Sequence, residues 1–312
     1  MNGDLLRVGL APAMLLTGLV LGYGARKTGL LPERLGKSLH LANIIVFQAN
    51  ICWLTMWGVT WQSGFIRLPI VGLILSLALT FAGFGVARLH RFGRADRATF
   101  ALGCGMSNLG STGGMLVIRV LIDEAALQRA LIFLLYWSVF AFLFCFPVAR
   151  HYGGKARVRL GRLIAASVTD VRMLPLAGLL AGLALGAWGP PRPKVVGPIV
   201  FVLLAASGFA AMFAIGVTLH LRRIRDYVSV YVSQGVVKFV VGPAIMAVLA
   251  VVFGFAGVDV RVVMIQASMS QAFYSVMIAN LFGLNVHMAN SMFLVNTLAF
   301  LVLVFPILAM VI

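Results

Sequence analysis

Apolar residues run along this chain in stretches too long and too continuous for a water-soluble fold. Read from the N-terminus, they predict ten helical spans, at residues 5–23, 38–60, 67–88, 98–120, 127–150, 172–189, 197–221, 227–253, 261–283 and 288–311. Most approach or exceed the ~20 residues that cross a hydrocarbon core. Polar residues gather in short connections, and the longest of these, about 151–171, is too small to fold alone. The pattern is that of an all-α integral membrane protein.

Two spans are interrupted. Met106-Ser107-Asn108 and Met269-Ser270-Gln271 lie 163 residues apart, each inside an apolar stretch. The first runs on into Gly110-Ser111-Thr112-Gly113-Gly114, and Ser275 soon follows the second. Backbone that leaves the helix in a bilayer exposes groups that lipid cannot satisfy, so it survives only where it is buried in protein or lines a cavity. Paired breaks in two halves of a chain point to the substrate site of a transporter. They mark Asn108, Gly110, Ser111 and Thr112 in the fourth span, and Ser270, Gln271 and Tyr274 in the ninth, as candidate substrate contacts. Glycine costs ~1 kcal/mol against alanine in a helix interior and could open the fourth helix. The ninth has no glycine between Val262 and Phe282.

A second pair of segments matches. Ala141 to Pro147 at the end of the fifth span resembles Ala299 to Pro306 in the tenth, at an offset of 158 to 159 residues. Two copies of five spans each are expected, 1–150 and 172–312, joined by the basic loop 151–171. Five is odd, so the second copy enters the membrane from the opposite side and the repeat is inverted, with helices 4 and 9 broken and crossing.

Composition sharpens this picture. The chain is 62% hydrophobic and 11% charged, with eight acidic residues in 312. Its net charge of +17 does not point to nucleic acid, because the basic residues are dealt out by loop. The connections after spans one, three, five and seven hold 17 of them, and the opposite side holds seven. By the positive-inside rule the rich side is cytoplasmic and both termini are outside, in the cell (inner) membrane. The five His residues fall at cytoplasmic ends, where solvation and anionic lipid headgroups receive them. More positive charge follows the first span than precedes it, so that span is expected to be an anchor and not a cleaved signal. Cys52, Cys104 and Cys145 lie in spans and read as small packing residues.

The chemistry available inside the spans is sparse. All eight carboxylates sit at span ends or in loops, so none is offered mid-membrane to a coupling cation. A Na⁺ ion would have to be held by carbonyls and the amides of Asn108 and Gln271; no other metal or cofactor is expected, and coupling to Na⁺ or H⁺ is left open. Lys238 is the one basic residue inside a span, about eleven residues from its start, or roughly 16 Å at 1.5 Å per residue. A charge there costs ~2.5–3.5 kcal/mol on insertion scales, so it must face a partner or a cavity. Ser233 and Gln234 extend its polar face toward the cytoplasm. Asn50 in the second span is a further candidate contact, whereas Asn43 reads as a helix–helix hydrogen bond. There are no paired carboxylates at helical spacing and no His-x-x-x-His, which excludes the usual membrane-embedded enzymes.

Ser107-Asn108-Leu109-Gly110-Ser111-Thr112-Gly113-Gly114, Phe213-Ala214-Ile215-Gly216-Val217-Thr218-Leu219 and Lys238 with Pro243 resemble segments of the auxin efflux carrier family. The resemblance implies a ten-helix fold and export of small organic anions such as auxin or other carboxylates. It also implies a transport unit of the third to fifth and eighth to tenth helices. The first, second, sixth and seventh would form a scaffold carrying any homodimer surface, on helices 2 and 7. Where that family carries proline in the second, fourth and ninth spans, this chain has none. Bile acid–sodium symporters share a similar plan, which keeps a sodium-coupled importer open as an alternative, and a non-transporting membrane sensor is a further one.

Overall fold

A computed structural model describes residues 2–32, 34–153, 173–219 and 227–312. Most of the expected basic loop 151–171 lies outside these residues, as do Arg222, Arg223 and Arg225. Among the described residues the regular structure is helical, with one isolated pair of bridged residues and no strand.

The helices are α1 (Asn2–Lys27), α2 (Arg34–Asn43), α3 (Ala49–Met56), α4 (Arg67–Leu89), α5 (Arg94–Gly105), α6 (Gly114–Leu121), α7 (Glu124–Phe133), α8 (Tyr136–Val139) and α9 (Phe146–Tyr152). After the loop come α10 (Leu174–Trp188), α11 (Val196–Thr218), α12 (Val228–Val236), α13 (Gly242–Val252), α14 (Val258–Ala267), α15 (Phe273–Phe282), α16 (Val286–Ala299) and α17 (Phe305–Val311). Six continuous runs among the described residues are long and apolar enough to cross a membrane: Arg34–Met56, Ser63–Leu89, Glu124–Tyr152, Val196–Thr218, Val228–Val252 and Val286–Val311. The fourth and ninth predicted spans are each split into two short helices, and α10 is a shorter apolar helix. The α3 helix ends at Met56, and the Trp53 ring stacks on that of Trp57 just beyond it, centroids 6.0 Å apart.

Four runs contain a widened π-helical turn: Ile44–Gln48, Phe140–Cys145, Val237–Val241 and Phe300–Val304. Three of these lead directly into a helix with proline in its first turn, Pro147, Pro243 and Pro306. Proline has no N–H and its ring crowds the carbonyl four residues back, here Leu143, Phe239 or Val302. A turn with i→i+5 bonds relieves the clash without ending the helix. In the second span the fourth such turn has no proline after it; instead the Asn50 amide donates to Val46 O at 2.7 Å, within that turn.

The chain divides into two compact units. One comprises Met1–Ser63, Gly110–Leu131 and Ala165–Leu219; the other comprises Gly64–Leu109, Ile132–Ile164 and His220–Ile312. The first therefore gathers the first, second, sixth and seventh spans, with α6 and the start of α7. The second gathers the third, eighth, ninth and tenth, with α5 and most of the fifth.

Glycine is the packing residue of the first unit. Gly178, Gly182 and Gly186 recur every four residues on α10 and bring it against the backbone of Ala49, Trp53 and Trp57. Gly18 and Gly22 do the same for α1 against Phe209 and Phe213 of α11. Without a hydrophobic drive between helices in lipid, such close backbone approach supplies the van der Waals contact that holds them together. In the second unit α5 is the central element, touching α4, α9, α12, α15 and α16. Every residue from Ala98 to Leu109 is buried.

At Gly182 an added Cβ would lie 2.9 Å from the Trp53 Cα, against backbone that cannot yield. Gly182→Ala is expected to lower stability by about 1–3 kcal/mol through overpacking, measured as the unfolding midpoint of the detergent-solubilised protein. Gly9→Ala, where nothing lies within 4 Å, is the control and should not lower it.

Candidate functional site

The α5 helix stops at Gly105, and Met106 turns the chain into an extended path at φ −95°, ψ 104°. Helix resumes only at Gly114. The second interruption is shorter, Ser268 to Ala272, and ends with Ala272 extended at φ −75°, ψ 140°. The second break contains no glycine, so glycine is not required to make one. Each break supplies partners for the other. Asn108 N–H donates to Ser270 O at 2.8 Å, and Ala272 N–H donates to Met106 O at 2.8 Å, which makes Ser107 and Gln271 an antiparallel pair. Ile265 to Ala272 are buried throughout, so these bonds answer for backbone groups that have no water to turn to.

Lys238 sits in the π-helical turn after α12 and is fully buried. Its ammonium donates to Ser107 Oγ at 2.5 Å and to Cys104 O, a carbonyl left over at the end of α5, at 3.2 Å. The charge is thereby held on the first break. One turn earlier, Gln234 Nε2 donates to Gln271 Oε1 at 2.6 Å. Gln271 Nε2 in turn donates to Ser275 Oγ at 2.6 Å and to Ala289 O at 3.3 Å, and Ser275 Oγ donates to Ala272 O at 2.8 Å. Asn296 Nδ2 of α16 donates to Gln234 Oε1.

Of the residues expected at the site, Asn108, Lys238, Ser270 and Gln271 therefore come together in the second unit. Tyr274 follows in the first turn of α15, its ring edge-on to Trp137 at 6.3 Å. Ser270 Oγ lies 3.4 Å from Thr297 Oγ1. Gly110, Ser111, Thr112 and Asn50 belong to the first unit. Asn50 makes only local bonds there, to Val46 O and from Trp53 Nε1 at 2.9 Å. Ser111 Oγ accepts from Ser207 Oγ at 2.8 Å, and Ser207 is also bonded to Asn43, whose Nδ2 donates to Ser207 O at 2.6 Å. That triad ties the second span, the seventh and the glycine-rich end of the first break within one unit.

Sequence reading gave no role to Ser107 or Asn296 and saw Gln234 only as part of a polar face. It also passed over Gln266, a fully buried amide in the last turn of α14 whose oxygen and nitrogen both lack a partner. The available signal was helical spacing: Gln234 lies one turn from Lys238. Among the described residues no three His, Cys, Asp or Glu side chains gather as metal ligands would.

Comparison with known proteins gives three likenesses. A family described as membrane transport protein matches residues 162–308, which include the second break, Gln234 and Lys238. Auxin efflux carrier component 3 of Arabidopsis thaliana is 33% identical over 116 residues, covering 36% of this chain and 18% of that protein. An uncharacterized transporter of Methanothermobacter thermautotrophicus is 27% identical over 128 residues, covering 41% of this chain and 42% of the relative. The matched part of this chain thus spans less than half the length of either relative.

Ser207 is fully buried and joins two partners that are themselves buried. Ser207→Ala removes the hydroxyl and leaves Asn43 Oδ1 and Ser111 Oγ short of a partner. A loss of about 1–3 kcal/mol, the cost of stranding buried polar groups, is expected. Thermal unfolding of the variant beside Ser207→Thr, which keeps the hydroxyl, measures it.

Proposed function

From its likeness to the auxin efflux carriers and to a family of membrane transport proteins, we propose that this chain is a secondary carrier exporting small organic anions, auxin-like carboxylates among them. In this reading it works by alternating access, and the anion is held where the broken fourth and ninth spans meet. Ten spans in two inverted repeats, with basic loops in the cytoplasm and both termini outside, complete the reading. Any homodimer would form through the second and seventh spans.

One observation carries it: two interrupted spans paired backbone to backbone beside a wholly buried lysine. Irregular backbone at this depth is tolerated where a substrate must be met by groups that helices normally use up. The side-chain amide of Asn108 and the hydroxyl of Ser270 stand at the same place. The N-terminus of α15, carrying Tyr274, adds a partial positive charge that favours an anionic group. Lys238 adds a full one. An ammonium resting on a carbonyl and a hydroxyl has the donor set that a Na⁺ ion would take, so fixed positive charge replaces a coupling ion. Uniport down the electrochemical gradient of the anion is then favoured over sodium-coupled import.

Efflux of radiolabelled indole-3-acetate and benzoate from proteoliposomes, with and without Na⁺ and pH gradients, tests this reading. Flux that follows membrane potential and ignores Na⁺ is expected. Flux that requires Na⁺ would favour the importer, and no flux of any carboxylate would remove the anion assignment. Lys238→Met should cut flux by at least about tenfold, the factor for about 1.4 kcal/mol, while the protein still inserts and purifies. Lys238→Arg should restore little, since a planar guanidinium does not replace a compact ammonium between Ser107 Oγ and Cys104 O. Wild-type flux in Lys238→Met would make the lysine purely structural.

A further inference from the structure

Ser107 and Gln271 stand directly opposite each other in the short antiparallel pair. Opposed residues in such a pair point to the same face, with Cβ atoms about 4.5–5.5 Å apart. Their side-chain partners, Lys238 and Gln234, are four residues apart on one helical run, where neighbours lie about 5–6 Å apart. The two spacings match, and so one face of the eighth span takes hold of both breaks at once. Lys238 grips the fourth span through Ser107 and Cys104, and Gln234 grips the ninth through Gln271.

The amide bonds run in one direction. Asn296 Nδ2 occupies Gln234 Oε1, which leaves Gln234 Nε2 to face Gln271. Gln271 Oε1 is thereby engaged as an acceptor, and its Nε2 has only Ser275 Oγ and Ala289 O to serve. Ser275 closes the run on Ala272 O, in the break itself. Space for this is made by Gly103 on α5: a Cβ there would lie 2.9 Å from Gln234 Nε2 and 3.1 Å from Gln271 Oε1. All of Gln234, Gln271, Ser275 and Asn296 are buried, so no water competes for these bonds.

We infer that Gln234, oriented by Asn296, is a positioning residue that sets the shape of the ninth-span break through Gln271. Gln271, expected from sequence to be a ligand, has both amide hydrogens and its oxygen engaged and acts on the substrate through the backbone that it holds. The effect on flux rests on the transport reading; the effect on the break does not.

Hydrogen exchange read by mass spectrometry on the detergent-solubilised full chain separates the two. Gln234→Leu is expected to speed exchange in peptides covering 104–109 and 268–275 by about tenfold, as loss of a buried hydrogen bond implies. Peptides from α1 and α11 should stay within about twofold. Gln234→Glu, which keeps the acceptor for Asn296 and loses the donor for Gln271, should show the same local pattern and serves if the leucine variant does not fold. Gln234→Leu combined with Gln271→Leu should fall short of the sum of the two single effects, because the bond they share is lost only once. Gly103→Ala, which crowds the same bond, should act like Gln234→Leu. Where wild-type protein transports indole-3-acetate, Gln234→Glu should raise KM several-fold with Vmax within about twofold. Unchanged exchange at the breaks, a uniform rise in every helix, or independent effects of the paired leucine variants would each overturn the assignment. So would an unchanged KM in a wild type that transports. A wild type that transports nothing, with the local exchange pattern intact, overturns the carrier reading and leaves this one standing.

Discussion

Peptide groups that leave a helix in apolar surroundings must find partners, and here two stretches of chain find them in each other. The bonds from Asn108 to Ser270 and from Ala272 to Met106 are few, but the surrounding arrangement depends on them. They bring the end of α5 against the end of α14, and they fix which side chains of the breaks face which neighbour. A single broken helix would strand its carbonyls and amides at a cost of several kcal/mol per group. Two broken helices, paired, remove much of that cost and leave a small patch of non-helical backbone deep in an apolar unit.

Satisfying the remaining groups takes different chemistry on the two sides. The first break receives a charged donor, Lys238, whose ammonium takes both a leftover helix carbonyl and a serine hydroxyl. The second receives neutral amides, of which Gln234 and Gln271 are each engaged at both ends. A charge tolerates one or two strong acceptors and little else nearby, whereas amides chain together, donor to acceptor, from α16 through α12 to the second break and α15. In the first unit the Asn43–Ser207–Ser111 triad applies the same logic to the glycine-rich end of the first break. Buried polar groups of this kind specify a geometry only when every member is satisfied. Gln266 stands apart from that rule, with neither amide atom paired.

Proline and glycine shape the helices around these networks in distinct ways. Pro147, Pro243 and Pro306 each follow a widened turn, and the fifth and tenth spans carry it at the same place relative to a Phe-Pro step. That coincidence is local chemistry: the ring and the missing N–H act on the turn before them wherever they occur in a helix. The glycines of α10 and α1 act across helices instead, by letting backbones touch. Removing one class would alter helix bending, and filling the other would force helices apart.

Much of the fold was legible in the chain. Hydropathy located the helical segments to within a few residues, and six of them among the described residues are long and apolar enough to cross a membrane. The two breaks were visible as polar runs in apolar stretches, and Lys238 stood out because a lone charge in a span cannot be indifferent to its surroundings. Partner choice was not visible. Gln234 meets Gln271 across 37 residues, Asn296 meets Gln234 across 62, Ser111 meets Ser207 across 96, and Lys238 reaches Cys104 across 134. In sequence these amides and hydroxyls look like any others that tie membrane helices together. Hydropathy and backbone propensity are properties of a segment and survive in the string of residues. A hydrogen bond between distant segments is decided by which helices pack side by side and in what rotation, and only the folded chain supplies that.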